Sequence, residues 1–451
     1  MRKALTSMII VFLLMISLAQ LEASGQNVKI GSFPIVWLQC QFADDTSMPY
    51  PLEHYQWLIG SEYPGAENFW HTVSYGVVNF NGSVIKGPFS IGPWSSYKLE
   101  SADTAEKTAS KKHLVEDCAR EAGREVYFPS FFGIGLFFSR ELDGFNYGSS
   151  QLLNINGTLE KMYAVMLLGT SAGPSVVAHE VGHGVFSFRH SLSVDGVPDS
   201  EWDVMSKGMF LPPVEEARFG FLWPVPVHPI AVWKRKAGWI SDAGVYTPEA
   251  GSIQTVRVDH LATTNVDVGT YRVIEIPVSS TVSYVVEVRR PNDQYDHGIP
   301  DPATLVYSVE YNREPILAAV MENGETFTTE NMVYVTVVSS DTTGSFILVD
   351  ARKMIVPLIE VISPRAGEQW EIGTVHLISW QWPGSFSAWI DVSRDGGRTW
   401  RVLVGDIANS GTYYWRVSRP RSDRTLVRIR SGQHEAASGL FAIVKKQKRA
   451  R

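Results

Sequence analysis

The run His179-Glu180-Val181-Gly182-His183 constrains this chain more than any other feature. It lies in an apolar stretch, with Val176, Val177, Ala178 and Val185 around it, where titratable groups are costly to bury unless they are used. The segment Pro174 to Phe188 reads as a helix entered through the turn Ser171-Ala172-Gly173-Pro174. Residues four apart on a helix project from one face, with Cβ atoms ~5–6 Å apart. His179 and His183 can then converge on one Zn²⁺ at ~2.0–2.1 Å. Glu180, next to the first ligand, reaches a metal-bound water without ligating the ion. Peptide hydrolysis suits this arrangement, since zinc acidifies the water and polarises the carbonyl while a carboxylate shuttles the proton to the leaving amine. The bland alternative is a pair of surface histidines on an ordinary helix.

A catalytic zinc needs a third protein ligand, and His190 is the first candidate. On a straight helix it would lie about 10 Å beyond His183, too far to share the ion. The chain must therefore leave the helix between them. Gly184 is the only breaker available, and Phe186 to Phe188 must make the bend. Asp195, in the turn-like Val194-Asp195-Gly196, and Glu201, in a non-helical stretch, remain rival third ligands.

Around this motif the chain divides by pattern. A length of 451 residues suggests about three domains at ~150 residues each. Residues 26–242 mix strand-like and helix-like segments: Val28 to Phe42 as a strand, Pro51 to Trp70 and Ala105 to Ala122 as helices, Met162 to Leu168 as a buried strand. Asp103 and Thr104 are candidate caps of the second helix. Residues 243–355 alternate apolar and polar positions in short Val-, Thr- and Tyr-rich runs, a β signal. Residues 356–446 carry short strands at regular spacing, with Asp395-Gly396-Gly397 marking a hairpin, which argues for a β-sandwich.

The termini and cysteines bear on location. Arg2 and Lys3 precede an apolar run from Met8 to Ala19, so residues 1–25 read as a secretory signal with cleavage after Ala23 or Gly25. A spanning anchor wants ~20 apolar residues, more than this run has. No later segment is long and apolar enough to cross a bilayer, so the expectation is an exported, extracellular protein without stable membrane insertion. A formal charge of −7 offers no basic surface for nucleic acid, and the basic residues at 447–451 read as a solvated tail. Cys40 and Cys118 are the sole cysteines; they either pair or stay as buried thiols, and they exclude a cysteine-based zinc site.

Ala178-His179-Glu180-Val181-Gly182-His183, then Arg189-His190-Ser191, then Trp202-Asp203-Val204-Met205-Ser206 resemble the immune inhibitor A family of secreted zinc peptidases, relatives of the metzincins. The resemblance covers most of residues 28 to 350, including Phe69 to Gly76, Pro229 to Ile240, Tyr284 to Arg290 and Leu305 to Val309. It implies a metzincin-like catalytic domain in which His179, His183 and His190 bind zinc. Glu180 would be the base, and Met205 the methionine of a turn beneath the metal. Phe186 stands where the usual metzincin pattern has glycine, His190 falls one residue late, and Lys207 replaces a tyrosine found in some members.

The last unit resembles the immunoglobulin-like modules of secreted microbial proteins, on Ser363-Pro364, Gly367-Glu368-Gln369-Trp370, Ile378-Ser379-Trp380 and Ser393 to Trp400. Its Trp382 and Trp389 are either core residues or exposed groups that stack on a polysaccharide or other surface polymer. Asp293, Asp296 and Asp301 could hold structural Ca²⁺, although three acids in a turn are more often solvated. Asn81-Gly82-Ser83 and Asn156-Gly157-Thr158 fit glycosylation in a suitable host. The sequence therefore reads as an α+β zinc endopeptidase acting on protein or peptide substrates, with a β-rich domain and a C-terminal β-sandwich. The alternative is a non-catalytic surface-binding protein that retains the scaffold.

Overall fold

Ile35–Phe42 (β1) is buried along its length apart from Gln41, because neighbours cover both its edges and both its faces. The computed structural model describes residues 28–445, apart from 100–103, 143–146, 154, 156–160, 211–216, 219–220, 265–266, 279–281, 311–312, 355–358, 383–386, 408 and 432–433. The signal segment at 1–25, Asp103, the sequon at Asn156 and the tail at 447–451 lie outside the described residues.

After β1 come two short helices, Leu52–Ile59 (α1) and Ala66–Val73 (α2). The single helix expected over Pro51 to Trp70 is thus corrected to a pair. Gly60, Pro64 and Gly65 interrupt it, and a Cβ on Gly65 would stand 2.4 Å from the Gly60 carbonyl oxygen. Val84–Ile91 (β2), Thr104–Ala122 (α3), Gly133–Phe138 (β3), Tyr147–Leu153 (β4), Lys161–Leu168 (β5) and Pro174–Phe186 (α4) complete this part. The sheet order is β2-β1-β3-β5-β4, parallel except for β4, which runs antiparallel to β5 at one edge.

Alternate residues of β1 feed two cores, as the two-residue period of a strand requires. Ile35 and Trp37 join the core that contains α1, α2 and α4, while Val36, Leu38, Cys40 and Phe42 join the core over α3. Across the second core Cys118 of α3 forms a disulfide with Cys40 of β1, which settles the choice between pair and buried thiols.

The character of the chain changes after Ile240, but the first core does not stop there. Past the short helix Ala231–Lys236 (α5), Val282–Arg289 (β6) lies in the middle of a five-stranded sheet. One face of this sheet sends Val285, Leu305, Tyr307 and Leu317 into the same core as Met205, Trp233 and Trp239. Its other face packs on a second five-stranded sheet, through Val286, Val288, Val306, Val335 and Ile347.

The residues from 359 onward have a separate core, in which Ile378, Trp380, Trp415, Ile390 and Phe441 bring two sheets together. Trp382 is in that core, and Trp389 is 39% exposed, with the Arg430 guanidinium 5.4 Å from its ring. The chain as a whole is mixed α+β with β-structure predominant. Among the described residues no helix is long and apolar enough to cross a membrane.

Candidate metal centre

Helix α4 rises from the turn after β5 with Pro174 at its first position, where a missing N–H costs nothing. His179, Glu180 and His183 follow one another along it, and all three are at least partly buried. The helix ends at Phe186, and Ser187 adopts the left-handed conformation (φ 56°, ψ 34°). The Ser187 and Phe188 amides then close back on the His183 and Gly182 carbonyls at 3.2 and 3.0 Å.

This turn does two jobs for the site. It sends the chain back so that His190 faces the helix, and it places the Phe188 carbonyl behind His183, 2.6 Å from Nδ1. The bend expected between Phe186 and Phe188 is therefore present, but Gly184 does not make it. Gly184 is inside the helix, where a Cβ would stand 2.7 Å from Met166 Sδ of β5. Its role is close approach of helix to sheet.

The three imidazoles converge through one kind of atom. His183 Nε2 is 3.0 Å from His179 Nε2 and 3.2 Å from His190 Nε2. His179 Nδ1 faces the Val204 carbonyl at 2.8 Å, as His183 Nδ1 faces Phe188. A carbonyl only accepts, so both Nδ1 atoms carry hydrogens and both Nε2 atoms present lone pairs. Lone pairs at such separations repel unless a cation lies among them. Burial, followed by the neighbouring histidine, pushes His179 down to about 3; burial also pushes His183 down to about 4. Both rings are thus held neutral, the form that binds metal. The donor set fits Zn²⁺: three imidazole nitrogens, two of them on rings whose second nitrogen is held by a carbonyl.

Glu180 is buried, and burial raises its carboxyl to about 8 against the opposing charge of Lys111. Edge strand β4 crosses directly over this part of the helix. A Cβ on Gly148 would stand 2.1 Å from the Glu180 carbonyl oxygen and 2.8 Å from His183 Cβ, so only glycine fits there.

The structure does not bring the rival ligands to the trio. Asp195 is in an exposed turn, and Glu201 pairs with Lys207 at 2.9 Å. Met205 is fully buried, and its sulfur lies against Gly182 on the underside of the helix. The segment after His190 is tied to the β-rich part by Leu192, whose N–H donates to the Pro315 carbonyl and whose carbonyl accepts from Leu317.

A second group of potential ligand atoms, His228, Asp293 and Asp296, has another explanation. Arg289 donates to both oxygens of Asp296, and His228 stands between Lys234 Nζ at 2.9 Å and Asp293 Oδ1 at 3.3 Å. With Arg289 paired to Asp296 and Lys234 Nζ hydrogen-bonded to His228, a network of side-chain bonds accounts for these residues. Asp301 is exposed and outside the group, so the three acids do not form the calcium cluster considered from sequence.

Sequence reasoning missed the carbonyls of Val204 and Phe188, the left-handed Ser187 and the need for glycine at 148. Backbone acceptors carry no side-chain signature, and a glycine in a strand was the one readable hint. No known protein-family model matches this sequence, and no curated protein matches it.

Proposed function

We propose that this chain is an exported zinc-dependent endopeptidase, with His179, His183 and His190 as the metal ligands and Glu180 as the general base. The observation that carries the reading is the convergence of three histidine Nε2 atoms, with the buried Glu180 following the first of these histidines in the chain. A bound zinc ion would supply Lewis acidity, acidifying water and polarising the scissile carbonyl. The Glu180 carboxylate takes the proton from water and returns it to the leaving amine nitrogen. Among the described residues β4 is paired along one edge alone, and Gly148 brings it against Glu180 and His183. An extended peptide could add to the other edge, where main-chain hydrogen bonds would hold it beside the site.

The resemblance of the His179–Met205 segment to the immune inhibitor A family, and through it to metzincins, supports the same reading. The apolar run at Met8 to Ala19 and the Cys40–Cys118 disulfide support export to an oxidising compartment. The test is metal content and hydrolysis together. Purified protein should hold about one zinc per chain and cleave an unfolded protein, losing activity to a chelator and regaining it with zinc. Absence of zinc binding would overturn the metal reading; zinc without hydrolysis would leave a retained scaffold.

A further inference from the structure

Arg289 at the end of β6 is fully buried, yet it belongs to the β-rich part of the chain. Its Nε and Nη2 donate to Asp296 at 2.8 and 2.5 Å, and its Nη1 donates to Glu287 at 3.2 Å. Nη1 also donates to the Trp202 carbonyl at 2.5 Å, across the core from its own sheet. Trp202 opens the turn that carries Val204 and Met205. Asp203 within it accepts from the amides of Met205 and Ile230 and from Trp233 Nε1, at 3.1, 3.4 and 3.1 Å. Glu287 closes the brace by accepting from the Ala231 amide at the start of α5, 2.5 Å away.

We infer that Arg289 is a positioning residue for the histidine trio, holding the Trp202–Met205 turn so that the Val204 carbonyl meets His179 Nδ1. The β-rich part is on this account a component of the centre and not an appended domain. A lysine at 289 can pair with Asp296 but cannot also span to Glu287 and Trp202, because only the planar guanidinium fork offers donors in several fixed directions. The inference rests on the trio being a metal site, so the experiment separates the two.

Arg290 is the matched control. It is 4% exposed and donates to the carbonyls of Asp341, Arg289, Ala303 and Gly344, none of them in the turn. Arg289→Lys and Arg290→Lys are prepared in the full chain, stripped of metal and titrated with zinc against a chromophoric chelator. Their unfolding temperatures are measured metal-free. Both should melt lower than the parent. Arg289→Lys should bind zinc about 10–100-fold more weakly, as loss of a ligand's supporting hydrogen bonds does, while Arg290→Lys should stay close to the parent. Equal zinc affinity in the two variants would overturn the inference, whether both fall or neither does. A parent that binds no zinc would instead overturn the metal reading. If Arg289→Lys does not fold, Glu287→Gln keeps the shape and removes the charge opposite Arg289. It should weaken zinc in the same direction, and unchanged affinity there overturns the inference as well.

Discussion

A Cβ placed on Gly182 would stand 2.4 Å from Met205 Sδ, so the glycine between the two motif histidines is the floor on which the methionine rests. Trp70 closes the same space, its Cζ2 3.3 Å from that Cβ position. Gly182→Ala must push Met205 and its turn away, and with them the Val204 carbonyl behind His179. Overpacking of this kind costs about 1–3 kcal/mol. The metal-free variant should melt several degrees lower and bind zinc more weakly. An unchanged melting temperature would mean that Met205 has room to spare.

The third ligand separates three residues. His190→Ala should lose most zinc affinity, since its Nε2 is 3.2 Å from that of His183. Asp195→Ala removes an exposed turn residue, and Glu201→Ala breaks an ion pair with Lys207 at half-exposed positions, worth ~0–1 kcal/mol. Neither should change zinc per chain. An acid variant without zinc beside a zinc-loaded His190→Ala protein would reverse the assignment.

Separate cores predict which pieces fold alone. Among the described residues, those from 359 onward share no core with the rest, and the Ser387 amide and hydroxyl both donate to Asp242 across the boundary. A chain ended at Ile355 should fold, bind zinc and hydrolyse protein. A chain ended at Ile240 lacks Val285, Leu305 and Tyr307, which complete the core around Met205, and should show no cooperative unfolding. Cooperative folding of the shorter piece would refute the shared core.

That shared core marks where sequence reading stopped. The change of pattern at Ile240 is a change of element type, from mixed helices and strands to strands alone, and hydropathy records elements but not which faces meet. The motif histidines were legible because a fixed helical spacing ties sequence to geometry. His190 was legible as a candidate alone, since its approach depends on Ser187 turning left-handed, which an L-residue does at a cost of about 1–2 kcal/mol. Arg289 read as one more residue of an alternating strand. Its partners Glu287 and Asp296 are two and seven residues away, but Trp202 is 87 residues away, and only the fold brings that carbonyl to it.

Buried histidines give the metal-free protein a pH signature. Burial lowers His54 to about 4, and burial with its neighbours lowers His179 to about 3 and His183 to about 4, against an ordinary value of 6.5. Below that value the unfolded chain binds more protons than the folded one, so stability falls as pH drops from 6.5 toward 4. Glu180, raised to about 8 by burial, works in the opposite sense, so the measurement belongs in the Glu180→Gln protein. Its urea midpoint without metal should fall steadily between pH 6.5 and pH 4.5. A flat profile would mean that these rings are solvated.

Glu180→Gln also tests the chemistry directly. The amide matches the carboxyl group in size and can occupy the same buried space, but it cannot accept a proton from water. Since Glu180 is not among the converging nitrogen donors, zinc per chain should match the parent. Turnover should drop by ~10²–10⁴-fold, the usual contribution of a positioned general base. Zinc content and turnover therefore have to part company in this variant, whereas in His190→Ala they fall together. Parental hydrolysis rates in Glu180→Gln would remove the carboxylate from the mechanism, and loss of zinc would make it a structural member of the metal site.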